Sequence, residues 1–200
     1  MIAAERLAQA AVISYAAGLN LYATIGILGL SSRFGLIGPL PGALDGVTSW
    51  WVIGTALSLA LVELMASLIP VVAAAWDTVH SFIRPPAGAA LAVATAWHAD
   101  PSLVLVAGLL GGGLALTTHA TKLGLRYAVD ASPEPVSNGL LSTGELGFVA
   151  MVVTLVWKHP YATLILSLVV LVGLLLLVRL IWRTLRQALR GERSPRASSR

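Results

Sequence analysis

A succession of long apolar stretches is the feature that most constrains what this chain can fold into. A membrane span needs about 20 mostly apolar residues. Stretches of that length occupy 8–30, 47–69, 101–119, 139–157 and 160–181, and a shorter one occupies 86–99. Only 11% of the residues are charged, against about 25% in soluble domains. The sequence therefore predicts an all-α, polytopic transmembrane helix bundle of about six segments, one of them short or re-entrant.

Residues 71–84, between the second long stretch and the short one, show helical periodicity with one polar face. Asp77, His80 and Arg84 share that face at positions i, i+3 and i+7. The pattern predicts an amphipathic helix that lies at the membrane interface or against the bundle without spanning it. The pair Pro85-Pro86 is expected to end this helix, because proline has no backbone N–H to donate.

The distribution of basic residues predicts the orientation. Seven of the thirteen Lys and Arg residues lie between residues 179 and 200. If all six segments cross, eleven basic residues fall on one side, and Arg33 and Lys158 fall on the other. Basic residues favour the cytoplasmic side, so the sequence predicts a bacterial inner-membrane protein with both termini in the cytoplasm. The basic tail there is expected to meet anionic lipid.

Residues 1–190 are expected to form a single transmembrane domain, and the tail 191–200 is expected to be disordered, since it has nothing to bury. The halves 1–98 and 101–183 each hold three apolar segments, which permits an inverted repeat. Apolar helix faces rich in glycine also permit a homo-oligomer. A nucleic-acid partner is not expected, because the basic charge forms a tail on an apolar body.

The first apolar stretch is interrupted near its middle by Gly18-Leu19-Asn20. One interpretation is close helix packing through small residues, with Asn20 bonded to a neighbouring helix. The other is a broken helix whose loosened backbone lines a cavity, with Tyr22 on the same segment. In either case we expect Asn20 to face the protein interior near the stretch 139–157, since its amide has no water to bond at that depth.

Two acids lie inside apolar stretches, Glu63 and Glu145. Each is about 9 Å deep, at a rise of 1.5 Å per residue, and a lone carboxylate there costs on the order of 2.5–3.5 kcal/mol. Asn138 and Ser142 share a helix face with Glu145. The pattern predicts that both acids line one polar cavity open to the cytoplasm and form the functional site. The alternative is a structural pair of Glu145 with Lys122 or Arg126.

A second polar set repeats the spacing of the first: His119, Lys122 and Arg126 also lie at i, i+3 and i+7. Both sets are expected near the cytoplasmic interface, where long basic side chains anchor helix ends. Neither set has the ligand count of a metal site, and the chain has no cysteine. No metal and no cofactor are predicted.

Three segments resemble one known family: AAGLNLYATIGILGL, AWDTVHSFIRPPAGA and the run from His119 through DASPEPVSNGLLSTGE. They are similar to the bacterial membrane proteins grouped as domain-of-unknown-function family 4126, over most of residues 10–180. The resemblance implies a small polytopic inner-membrane protein and implies no activity.

These observations favour a transporter or channel-like protein for a small solute or ion that uses buried carboxylates. The first alternative is a membrane enzyme that acts on lipid at the cytoplasmic interface, with His80 or His119 as the base. The second alternative is a structural or assembly partner of another membrane protein.

Overall fold

The computed structural model describes residues 2–130 and 135–191, and every long regular element in this part is an α-helix. The elements are, in chain order, α1 (Ile2–Leu19), α2 (Leu21–Arg33), a 3₁₀ helix (Gly42–Thr48), α3 (Trp50–Ser67), α4 (Pro70–Thr95), α5 (Pro101–Asp130), α6 (Pro135–Leu155) and α7 (Pro160–Gly191). The prediction of an all-α helix bundle is confirmed.

The outer surface of the bundle is apolar and its interior holds charge. Trp51 is 88% exposed and Phe82 is 80% exposed, whereas Glu63, Asp77 and Arg84 are buried. Within the described ranges, α3, α5 and α7 are long and apolar enough to cross a membrane, and α6 contains a shorter apolar stretch. This distribution is the one expected when lipid rather than water solvates the outside. The chain is a membrane-spanning helical protein.

The start of α1 lies beside the connections α2–α3 and α4–α5. Arg6, Pro41, Thr95 and His98 line one shared cavity of about 440 Å³. Leu7 packs in the same apolar cluster as Ala96 and Ala99. These contacts place the N-terminal end of α1 at the same end of the bundle as the segment that follows α2.

The helix α2 runs back along α3 towards that same end. A Cβ atom added at Gly26 would meet the side chain of Leu57, and one added at Gly29 would meet Ile53. Arg33, the last residue of α2, donates to the carbonyl of Thr48, just before α3 begins. Together α1 and α2 therefore form a re-entrant hairpin, with Asn20 at its tip.

In the described ranges three helices and one shorter apolar stretch qualify as membrane segments, so the number of about six stays a prediction. In α7, Val178 packs beside Gly124 of α5, and α7 continues for 13 further residues to Gly191. The start of α1 and the last turns of α7 consequently lie at opposite ends of the bundle. A hairpin returns the chain to the end of the bundle from which it entered, and the membrane side of each terminus stays a prediction.

The expected stop at Pro85-Pro86 is wrong: α4 is one helix of 26 residues that continues through both prolines. The predicted interfacial helix 71–84 and most of the short segment 86–99 are therefore parts of one element. Neighbouring helices pack closely against the part of α4 that follows the two prolines. On α5, a Cβ at Gly111 would lie 2.5 Å from the Cβ of Ala92, and on α1 the hydroxyl of Ser14 donates to the carbonyl of Gly88 at 2.8 Å.

Candidate functional site

The break between α1 and α2 is made by Asn20. Its backbone is extended, with φ −145° and ψ 100°, and its side-chain Oδ1 accepts a hydrogen bond from the N–H of Ala23 at 2.9 Å. In a continuous helix that N–H would bond the carbonyl of Leu19 four residues earlier. The cap on α2 therefore leaves the Leu19 carbonyl, at the end of α1, available to another partner.

Two basic side chains from other helices bond the last carbonyls of α1. Lys122 Nζ donates to the Leu19 carbonyl at 2.8 Å, and Arg84 Nη1 donates to the Gly18 carbonyl at 3.2 Å. The end of a helix carries partial negative charge, so cations stabilise it there. The hairpin tip is thus held by charge from α4 and α5.

A glycine at position 18 permits this close approach. A Cβ atom there would lie 2.6 Å from the carbonyl oxygen of Ala115 and 2.8 Å from the Cβ of Thr118, both on α5. Any larger residue would push the end of α1 away from α5. Gly18 therefore sets the distance at which Lys122 reaches the hairpin tip.

Lys122 joins the two acids that the sequence singled out. Its Nζ lies 2.9 Å from Glu63 Oε1 and 2.6 Å from Glu145 Oε1. With the Leu19 carbonyl these make three oxygen acceptors for the three donors of an ammonium group. Glu63 and Glu145 consequently lie in one site, with a base between them.

Glu63 also pairs with Arg84, whose Nη2 donates to Glu63 Oε1 at 2.6 Å. A separate pair links α4 to α5, with Arg126 Nε 3.3 Å from Asp77 Oδ2. Three acids (Glu63, Asp77 and Glu145) thus face three bases (Arg84, Lys122 and Arg126) in one buried cluster, here called the charge network. Its formal charges cancel, which lowers the cost of burying them.

The two histidines of the polar sets, His80 and His119, each bond protein groups through both ring nitrogens. His119 Nδ1 accepts from Arg84 Nη1 at 2.9 Å, so its proton lies on Nε2, which faces the Ser81 hydroxyl at 3.0 Å. His80 Nδ1 donates to the Trp76 carbonyl at 2.7 Å, and its Nε2 faces the Tyr22 hydroxyl at 3.0 Å. These bonds explain the positions of the two rings as parts of the folded bundle.

The basic residues of both polar sets lie inside the bundle. Arg84 is fully buried, and Lys122 and Arg126 are also buried, so none of the three anchors a helix end at the interface. Each instead finds a carboxylate on another helix, which is more favourable than extending past the bundle wall. The pairing of Glu145 with Lys122 corresponds to the structural alternative raised from the sequence.

The remaining predicted residues have the following positions. Asn20 and Ser142 lie beside Glu63 and Glu145 around a small enclosed space, and Tyr22 bonds His80 on the other side of the hairpin. The side chain of Asn138 lies outside the described residues. No group of three or more His, Asp or Glu side chains is placed to hold a metal ion in the parts of the chain that the structure describes.

The expected cavity open to the cytoplasm differs from what is observed. The space between Asn20, Glu63 and Glu145 measures about 10 Å³, room for a single water. A larger cavity of about 340 Å³ lies on the other side of Lys122 and Glu145, between α1, α5, α6 and α7. Tyr15 lines it and was not singled out from the sequence. An aromatic residue in an apolar stretch gives no signal of its own.

Comparisons with known proteins agree with the resemblance seen in the sequence. No curated protein and no solved structure matches this chain. A family model described as Domain of unknown function (DUF4126) matches residues 7–182. That range contains most of the hairpin and every residue of the charge network. The chain belongs to this family of unknown function, DUF4126.

Proposed function

We propose that this protein transports a small monovalent cation across the membrane in exchange for a proton, with Lys122 as a built-in competitor for the cation site. The observation that carries the proposal is the set of oxygens around Lys122 Nζ: the Leu19 carbonyl at the helix break and the carboxylates of Glu63 and Glu145. Freed carbonyls at broken helices, together with buried carboxylates, are the ligands that membrane transporters offer to cations.

The balance of charges within the charge network explains how a cation would be exchanged for a proton. The charge network holds three acids and three bases and is formally neutral. An added cation at Glu145 leaves one excess positive charge, which is costly in this buried setting. Neutrality returns when Lys122 loses its proton to water on one side of the membrane. Cation entry and proton release are then coupled, as in an antiporter.

The sidedness follows from the basic tail. We place the C-terminal end on the cytoplasmic side of a bacterial inner membrane, because seven Arg residues lie between residues 179 and 200. Arg6, Arg33 and Lys158 then lie on the opposite side. Arg179, Arg183 and Arg186 line an exposed groove on α7 beside Trp182, which suits anionic lipid headgroups.

The test is a flux assay in proteoliposomes that enclose a pH-sensitive dye. Addition of Na⁺ or K⁺ outside should change the internal pH with the wild-type protein. Glu145→Gln should abolish the change, because the amide keeps the shape and removes the charge. Asp45→Asn, on the exposed 3₁₀ helix, is the matched control and should retain it.

Lys122→Met should abolish the coupling, whereas Lys158→Met, an exposed base outside the network, should behave like the wild type. An unchanged flux in Glu145→Gln would overturn the proposal. A wild-type protein that is folded but gives no flux with any of the cations would also overturn it. The role as an assembly partner would then be favoured.

A further inference from the structure

The cavity between α1, α5, α6 and α7 has the size of a ligand site. It measures about 340 Å³, within the range of about 300–1,000 Å³ for sites that hold small molecules. Its walls are mostly apolar, with Leu19, Leu125, Leu141, Phe148, Val170 and Leu174 among the lining residues.

The cavity leads from the outer surface of the bundle to the charge network. Leu140 is 70% exposed on the lipid-facing side, whereas Tyr15 and Lys122 at the inner end are buried. Gly144, also exposed, lies on the same wall of α6. A molecule with a hydrocarbon part can therefore enter from the bilayer without crossing a polar surface.

At the inner end of the cavity, the Tyr15 hydroxyl makes no hydrogen bond within the described part of the chain. Tyr15 is 1% exposed. A buried hydroxyl without a partner is costly in a native protein, and a hydroxyl can both donate and accept. This group points to a ligand with a polar head at the level of Glu145.

The groups at the inner end of the cavity favour a ligand with a cationic polar head over one with an anionic head. Lys122 uses its three donors on Leu19, Glu63 and Glu145, so it has none left for an anion. The Glu145 carboxylate presents about four acceptor positions, of which Lys122 takes one. The rings of Tyr15 and Phe148, packed edge to face at 6.1 Å, add a surface that attracts cations.

From these observations we propose that the cavity binds an organic cation of the alkylammonium class, with its chain between α5, α6 and α7 and its ammonium group on Glu145 and the Tyr15 hydroxyl. The side chain of Lys122 is itself a tethered alkylammonium held by Glu145. A free alkylammonium therefore offers the same group to the same carboxylate, with an apolar chain that fills the cavity. The proposal rests on the proposed function, for which it names the substrate class.

The test is calorimetric titration of the purified full-length protein in detergent with hexylammonium and, separately, with hexanoate. The two probes have the same chain length and opposite charge. Hexylammonium should bind and hexanoate should not. Binding of hexanoate alone, or equal binding of both, would overturn the proposal, since the first shows an anion site and the second shows partition without charge recognition.

Two glycines on α6 provide a matched pair of variants. A Cβ added at Gly144 or at Gly147 meets open space, but only Gly144 lines the cavity. Gly144→Leu should weaken hexylammonium binding at least tenfold, and Gly147→Leu should leave it unchanged. Equal effects of the two variants would contradict the proposal.

Variants that each remove one polar group provide a second test of hexylammonium binding. Glu145→Gln and Tyr15→Phe should each weaken binding of hexylammonium, the first more than the second, because a lost charge costs more than a lost hydroxyl. Binding in detergent does not depend on transport. Flux of Na⁺ or K⁺ without hexylammonium binding would therefore overturn this inference alone, and binding without any flux would overturn the transport proposal alone.

Discussion

Arg84 Nη1 donates a hydrogen bond to Nδ1 of His119 at 2.9 Å, deep inside the bundle between α4 and α5. A guanidinium group has donors and no acceptor, so this contact requires an unprotonated Nδ1. The proton of His119 therefore lies on Nε2, and the ring is neutral while the contact is intact.

The first prediction concerns this tautomer. In detergent at pH 7, ¹⁵N NMR of the His119 ring should show an unprotonated Nδ1 and a protonated Nε2. The pattern should persist to pH 5.5, because a proton on Nδ1 would face the N–H donor of Arg84 Nη1. A doubly protonated His119 at pH 7 would contradict the structure.

The second prediction concerns the pair of Arg84 with Glu63. Arg84→Met should destabilise the protein by about 3–5 kcal/mol, because it leaves a buried carboxylate with one partner fewer. The double variant Arg84→Met with Glu63→Leu should lose less than the sum of the two single changes. The measurement is a double-mutant cycle from unfolding in detergent, and strict additivity would show that the two side chains do not interact.

A third prediction tests the cap at the hairpin tip. Asn20→Ala removes the Oδ1 acceptor for the Ala23 N–H and should cost about 0.5–2 kcal/mol. Asn20→Ser should restore most of the loss, because serine also caps helix starts. Thermal unfolding of the three proteins checks this, and an Ala variant as stable as the wild type would show that the cap does not stabilise the break.

The fourth prediction uses the absence of cysteine in the natural sequence, which makes introduced thiols clean labels. In intact bacterial cells, a membrane-impermeant maleimide should label Ala3→Cys and His98→Cys from outside. It should reach Ser199→Cys only after the cells are opened. Labelling of positions 3 and 199 from the same side would contradict the re-entrant hairpin.

The sequence indicated where charge and helix breaks lie, but not which groups meet. The depth of Glu63 and Glu145 suggested a shared site, and their common partner Lys122 was among the alternatives. Arg84 and Arg126 were assigned to the interface because helical spacing shows which residues share a face, while the direction of that face depends on the neighbouring helices. Two prolines were expected to stop α4, since a local rule cannot include the packing of α1 and α5 around it.

The hairpin itself illustrates the same limit. Gly18-Leu19-Asn20 marked an interruption in the first apolar stretch, and both a closely packed helix and a broken one fitted that pattern. The decision depends on an extended backbone at Asn20 and on partners more than 60 residues away along the chain. Such partners are visible only after the chain has folded.

The order in which the chain is synthesised determines when the hairpin tip can complete its hydrogen bonds. The Leu19 carbonyl and the Lys122 ammonium group are 103 residues apart in sequence. At about 5–20 residues per second, the ribosome needs roughly 5–20 s to add the second partner after the first. Until then the Leu19 carbonyl cannot bond Lys122. The hairpin tip thus reaches its final set of bonds only after a segment made much later has joined it.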